Sequence, residues 1–212
     1  MSAIATDEIF WDRLARKYAA DTIKDVGGYE RTLSRSNSYL KPTHRTFEFG
    51  CGTGTTALRL SPHVQSIVAT DVSGKMIGIA QEKAKTQNCT NVTFRKSTLD
   101  DPQWPEEDYD VVFGFNALHM VRDLPRSLSR VHQILKPGGL FISKTPCLRD
   151  AGFIIQWLVP VAQFFGKAPH VGMFGMDELR GAMEAANFEI LTQEKHGTRG
   201  RDFRSFIVAR RP

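Results

Sequence analysis

From residue 44 onward the chain alternates short apolar runs with stretches of helical spacing. The runs at 44–49, 66–71, 91–95, 109–115 and 139–145 are rich in Phe, Val and Ile and predict strands. Helices are predicted over 55–60, 74–86 and 124–135. Upstream, Ile9, Phe10, Leu14 and Tyr18 lie close to helical period and predict a helix over 7–20; a second is predicted over about 29–40, after Gly27-Gly28. Downstream, 176–187 reads as a helix, and 188–194 and 203–208 as closing strands that form an antiparallel pair. Between 95 and 109 the expected helix is replaced by Asp100-Asp101-Pro102-Gln103-Trp104-Pro105-Glu106-Glu107-Asp108, whose prolines and acids predict an exposed loop. Strand–helix alternation implies an α/β fold: a mostly parallel sheet with helices on both faces. Ligands in such folds bind beyond the carboxyl ends of the strands.

The most informative stretch is Phe47-Glu48-Phe49-Gly50-Cys51-Gly52-Thr53-Gly54, an apolar strand running into glycines at alternate positions and then a helix start. Glycine takes torsions that other residues avoid and removes the Cβ that keeps a ligand away. A strand, a glycine turn and a helix N-terminus cradle nucleotide-like ligands. The dinucleotide pattern G-x-G-x-x-G would place its third glycine at 55, which is Thr55; here it is Gly54. Asp71 ends the next strand, 19 residues after Gly52, where an acid in doubly wound folds accepts from ribose hydroxyls. Taken alone, Asp71 reads more readily as an exposed strand-end cap than as a ligand contact.

This G-x-G-x-G, with Glu48 two residues before it, resembles motif I of the class I S-adenosylmethionine-dependent methyltransferases. Four further stretches match that family in order: Ser66 to Asp71, Val72 to Ile77, Tyr109 to His119, and Leu135-Lys136-Pro137-Gly138-Gly139. The resemblance covers 44–145 and is strongest to the bacterial group of type-11 and type-12 domains that includes quinone-biosynthesis enzymes. It implies a Rossmann-like, doubly wound, seven-stranded sheet with an antiparallel closing strand. It implies S-adenosylmethionine as cofactor, S-adenosylhomocysteine as product, and no metal. Glu48, Gly50, Cys51 (through its backbone), Gly52 and Gly54 would form the cofactor loop, Asp71 would hold the ribose, and Val72 and Met76 would border the adenine. Taken alone, Met76 reads more readily as core. Thr98 stands where the family often has an acid for the adenine amino group; its hydroxyl and the backbone of Leu99 would serve instead, or Asp100 after a shift of the loop. Asn116 completes the set. Trp11-x-x-x-Ala15-x-x-Tyr18 resembles the family's N-terminal cap, which makes Tyr18 a contact for the methionine end or, equally, a core tyrosine.

Length suits a single domain: a helical cap at 1–43, a cofactor-binding core at 44–145, an insert at 148–175 and a C-terminal unit at 176–212. A net charge of +5 does not argue for nucleic acid. Phe115-Asn116-Ala117-Leu118 also lacks the Asn/Asp-Pro-Pro-aromatic tetrad of many base and amide methyltransferases, which disfavours a DNA or glutamine target and leaves RNA open. Basic residues gather near the C-terminus (Lys195, Arg199, Arg201, Arg204, Arg210 and Arg211 against Asp202). They read as a solvated hairpin, with attraction to an anionic substrate or membrane surface as the less favoured alternative. Cys51, Cys89 and Cys147 show no disulfide or zinc spacing and fit a reducing cytoplasm, and the N-terminus shows no secretory signal.

Methyl transfer from a sulfonium is an in-line displacement that needs chiefly proximity and alignment. A base matters only for a nucleophile that still holds its proton. His119, just past the fourth predicted strand, is the first candidate, with a structural histidine as the competing view; His170 is the second. The run 153–165 holds ten apolar side chains and Pro160. It is shorter than the roughly 20 residues a spanning helix needs. Phe153, Trp157, Val161 and Phe164 would share one helical face, either as core or dimer contact or as a pocket for a hydrophobic or aromatic acceptor. Expected, then, is a small-molecule methyltransferase. The alternatives are a lipid-headgroup enzyme at a membrane surface, a module that binds the cofactor without catalysis, and a dinucleotide oxidoreductase, against which Thr55 argues.

Overall fold

The computed structural model describes residues 3–104, 108–152, 170–198 and 202–212. Two helices, α1 (Ala3–Ala20) and α2 (Val26–Asn37), precede the first strand, β1 (Arg45–Phe49). Then follow α3 (Thr55–Leu60), β2 (Ser66–Asp71), α4 (Gly74–Thr86), β3 (Val92–Lys96), β4 (Tyr109–Phe115), α5 (Leu124–Ile134), β5 (Leu135–Pro146), α6 (Met176–Ala185), β6 (Glu189–Glu194) and β7 (Arg204–Arg210). The seven strands form one sheet in the order β3-β2-β1-β4-β5-β7-β6. The first five in chain order run parallel, and β7 is antiparallel to both of its neighbours. This is the doubly wound, mostly parallel sheet with an antiparallel closing strand that the sequence predicts.

Both faces of the sheet are buried, which is why its strands read as near-continuous apolar runs. Phe47 and Phe49 of β1, Val112 of β4, Phe141 of β5 and Ile207 of β7 pack on one side against Leu128 and Val131 of α5 and Leu179 and Met183 of α6. On the other side Ile67, Val111, Phe113, Ile142, Phe206 and Val208 meet Leu33 of α2, Leu58 and Leu60 of α3, and Ile77 and Ala80 of α4. Burying one such side chain stabilises the fold by roughly 1.5–3 kcal/mol.

Several elements depart from expectation. Gly27 and Gly28 lie inside the first turn of α2, not before it, because Asp25 caps the helix and accepts from the Gly28 N–H at 3.0 Å. A Cβ at Gly28 would also meet the His196 carbonyl at 2.9 Å, so the glycine lets α2 approach the closing hairpin. β5 starts at Leu135, four residues early, because Leu135 pairs with Tyr109 before the register shifts and Gly138 turns at φ +77°. The acidic loop after β3 is not wholly exposed. Trp104 is buried against Phe47 with ring centroids 5.1 Å apart, and its indole N–H donates to the Thr98 carbonyl at 2.9 Å. The C-terminal basic residues are partly committed within the fold: Arg210 pairs with Glu189 at 2.5 Å, and Arg211 donates to the His132 carbonyl at 2.9 Å and to that of Leu135 at the end of α5. Arg199 and Arg201 lie outside the described residues.

Candidate active site

Strand order reverses between β1 and β4, and a cleft of about 370 Å³ opens at the carboxyl ends of the strands there. That volume falls within the roughly 300–1,000 Å³ of small-molecule pockets. Its floor is Phe49 and Gly50 after β1, Asp71 at the end of β2, Ser97 and Thr98 after β3, and Phe115 and Asn116 at the end of β4.

The glycine turn divides its labour. Gly50, Gly52 and Gly54 all have positive φ, at +63°, +54° and +74°. Gly50 and Gly52 line the cleft. Gly54 does not: a Cβ there would lie 2.6 Å from Phe94 Cζ and 2.8 Å from Ala80 Cβ, so it lets the turn close on β3 and α4. Cys51 contributes its backbone, donating its N–H to the Thr70 carbonyl at 2.9 Å, while burial drives its thiol pKa well up. Asp71 braces the turn. Its Oδ2 accepts the Gly52 N–H and its Oδ1 the Ser73 N–H, each at 2.9 Å. A carboxylate offers about four acceptor sites, so lone pairs remain toward the cleft. Burial raises the Asp71 pKa although these N–H groups pull the other way.

Val72, Met76, Leu99 and Asp100 complete the inner wall. Met76 is only 2% exposed yet belongs to neither core cluster; it is cleft wall. Thr98 keeps its place by accepting from Trp104, and Asn116 holds a left-handed φ of +53° while donating its N–H to the Lys144 carbonyl at 2.8 Å.

The roof comes from α1. Asp7, Trp11 and Tyr18 line the cleft, on one helical face at spacings of four and seven. Polar ties hold that face down. The Asp7 carboxylate pairs with Arg122 beyond β4 through both oxygens at 2.9 Å, Glu8 pairs with Lys96 at 2.6 Å, and Asp12 Oδ1 accepts from Ser73 Oγ at 2.5 Å and from the Lys75 N–H at 3.1 Å. Tyr18 is half-exposed, and its pKa is raised by desolvation and by the carboxyls of Asp71 and Glu48. Arg126 lies on the same rim, 3.4 Å from Asp100.

Two residues singled out from the sequence are set back from the wall. Glu48 is 2% exposed, and its Oε2 is buried without a hydrogen-bond partner. Burial, then the nearby Asp71, pushes its pKa up to about 8. His119 sits in a short turn at Leu118–Met120, 8% exposed, with Nδ1 unpartnered; burial holds its pKa down at about 4. Its carbonyl accepts the Gly172 N–H at 2.6 Å, which anchors the segment carrying His170. The histidine on the cleft wall is therefore His170. Phe153 and Trp157 lie outside the described residues, as does the rest of 153–165. Asp7, Arg122 and Arg126 were not singled out beforehand. The helical spacing of Asp7 from Trp11 was a usable signal, whereas nothing local ties Asp7 to Arg122.

A family model described as a methyltransferase domain matches residues 11–193. The uncharacterized methyltransferase YcgJ of Bacillus subtilis is 30% identical over 137 residues, 65% of this chain and 54% of that protein. The chain thus spans about half the length of that relative. The demethylmenaquinone methyltransferase of Symbiobacterium thermophilum is 25% identical over 172 residues, 74% of this chain and 68% of that protein. A crystal structure of an S-adenosylmethionine-dependent methyltransferase from Mesorhizobium loti superposes with a TM-score of 0.73 at 22% identity, covering 88% of this chain and 99% of that one.

Proposed function

The chain belongs to the class I S-adenosylmethionine-dependent methyltransferases, and from that membership we propose that its cleft passes a methyl group, without a metal, to a small hydrophobic or aromatic acceptor. The observation that carries this reading is Asp71, a carboxylate at the strand end with acceptors left over beside a glycine turn whose backbone lies open to the cleft. The residues fit the cofactor. Asp71 suits a ribose diol, Val72, Met76 and Leu99 form an apolar slot for a purine, and Thr98 with Asp100 supplies polar groups at its edge. Gly50 and Gly52 admit the amino-acid end beneath Tyr18. When bound, the cofactor supplies an electrophilic methyl on a sulfonium. The chain's part is to hold the reacting atoms in line and to keep water out, with α1 as cover.

Phe115, Met120 and Val121 give the cleft apolar lining beside the charged Asp7, Arg122 and Arg126, which favours a hydrophobic or aromatic acceptor. The name of the Symbiobacterium relative points the same way. Among the described residues no helix is long and apolar enough to cross a membrane. A single cytoplasmic domain with 148–175, including Phe153 and Trp157, as acceptor-side lid belongs to the same proposal. Titration calorimetry with S-adenosylhomocysteine and NADH tests the cofactor assignment. Heat with the first and none with the second is expected; a folded protein that binds neither would overturn it.

His170 takes the role of proton acceptor for a hydroxylated acceptor. Positioned bases contribute about 10²–10⁴-fold. His170→Ala should therefore slow turnover of an apolar phenol at least a hundredfold. His119→Ala should lower the melting temperature and leave that turnover largely in place. The opposite pattern would return the role to His119.

A further inference from the structure

We infer that Glu48 is a proton-coupled counter-ion for the cofactor: neutral in the empty protein, it ionises when the cationic ligand enters, so that each binding event expels close to one proton. This rests on the cofactor reading above and adds to it a charge that moves with binding.

Glu48 shares β1 with Phe47 and Phe49 but sits between them in the alternation, so its carboxyl leaves the sheet on the opposite face. It ends up buried beneath the glycine turn. Oε2 has neither solvent nor a hydrogen-bond partner. The titratable groups that face it come from four elements: Asp71 from β2, Cys51 from the turn, Tyr18 from α1 and Tyr29 from α2. Every one is an acid, and among the described residues no cation pairs with Glu48.

An ionised carboxylate in such a place has lost its water, gains no compensating charge and is repelled by Asp71. Protonation answers all three, and it fits a pKa of about 8. Tyr18 and Asp71 touch both Glu48's field and the cleft, so a cation bound between them lies within that field. The cofactor brings two cations, the sulfonium and the α-ammonium. Either favours the carboxylate, the O–H bond breaks, and the proton leaves to solvent. The ligand's positive charge then meets a full negative charge that the empty site did not have to keep ionised.

The sign of the pH effects follows. Affinity for the cofactor should rise with pH by at most tenfold per unit and level off near pH 8, where Glu48 is already ionised without ligand. The empty protein should respond the other way. A carboxyl whose folded pKa is raised contributes stability at low pH and loses it as pH climbs through about 8.

Calorimetry at pH 7 in buffers of different ionisation enthalpy reads the proton directly, as the slope of observed enthalpy against buffer enthalpy. Release of close to one proton is expected for the wild type, and close to zero for Glu48→Gln; the free cofactor's α-amino group is mostly protonated at pH 7 and takes up only a fraction of a proton. Release with donor and product alike assigns the ammonium, and release with the donor alone assigns the sulfonium. A wild-type slope of zero, or a slope unchanged in Glu48→Gln, overturns the inference while the binding heat still supports the cofactor reading; absence of heat overturns that reading instead. If Glu48→Gln does not bind, infrared difference spectra of the wild type decide. Loss of a protonated-carboxyl band on adding S-adenosylmethionine, which carries both cations, supports the proton release, and an unchanged band overturns it.

Discussion

Asp71→Ala is expected to weaken S-adenosylhomocysteine binding by at least two orders of magnitude while the protein stays folded. Two ribose hydroxyls donating to one carboxylate form charge-assisted bonds worth about 1.5–3 kcal/mol each. Their joint loss corresponds to roughly 10²–10⁴-fold in affinity at 1.4 kcal/mol per decade. The Gly52 and Ser73 N–H groups lose their acceptor in the same substitution, so the empty turn loosens as well. Asp71→Asn separates the two effects. An amide keeps one oxygen, so one of these N–H groups faces an NH₂ instead, and an intermediate loss is expected. Calorimetry gives the affinity and a melting curve the fold. A loss under fivefold for Asp71→Ala would remove the ribose role from this residue.

Gly54→Ala should destabilise the protein by about 2–5 kcal/mol in urea unfolding. The left-handed torsion, φ +74°, costs an L-residue roughly 1–2 kcal/mol. The new methyl would press on Phe94 and Ala80 at under 3 Å, and overpacking of that kind costs typically 1–3 kcal/mol more. Gly138→Ala is the control: its φ is +77°, but nothing lies within 4 Å of the added Cβ. It should show the torsional cost alone. Equal losses for the two variants would mean that the Phe94–Ala80 contact is not what requires glycine at 54.

The glycine turn, the acid at the end of β2 and the strand–helix alternation were legible in the sequence because each is written in neighbouring residues. Torsions at Gly50, Gly52 and Gly54, and the side on which Asp71 leaves its strand, depend on a few positions only. Pairings between distant residues were not legible. Asp7 and Arg122 are 115 positions apart, and no local pattern couples them. Trp104 lies in a segment dominated by acids and prolines, so composition hid a buried indole. The histidines show a third kind of limit. A short turn after β4 sets where the ring of His119 points, and periodicity does not reach into turns; His170 comes to the cleft on a segment whose Gly172 is tied to the His119 backbone. The position of Glu48 behind the wall, by contrast, was implicit in the strand alternation that sends Phe47 and Phe49 to the other face.

The ion pair between Asp7 and Arg122 ties the first helix to the segment beyond the fourth strand where both residues line the cleft, and a ligand leaving past that tie would have to part it. Departure of the spent ligand should thus lag behind the transfer itself. A rapid-quench time course would then show a first turnover faster than all later ones, and added salt, by weakening the bridge, should narrow the gap between them.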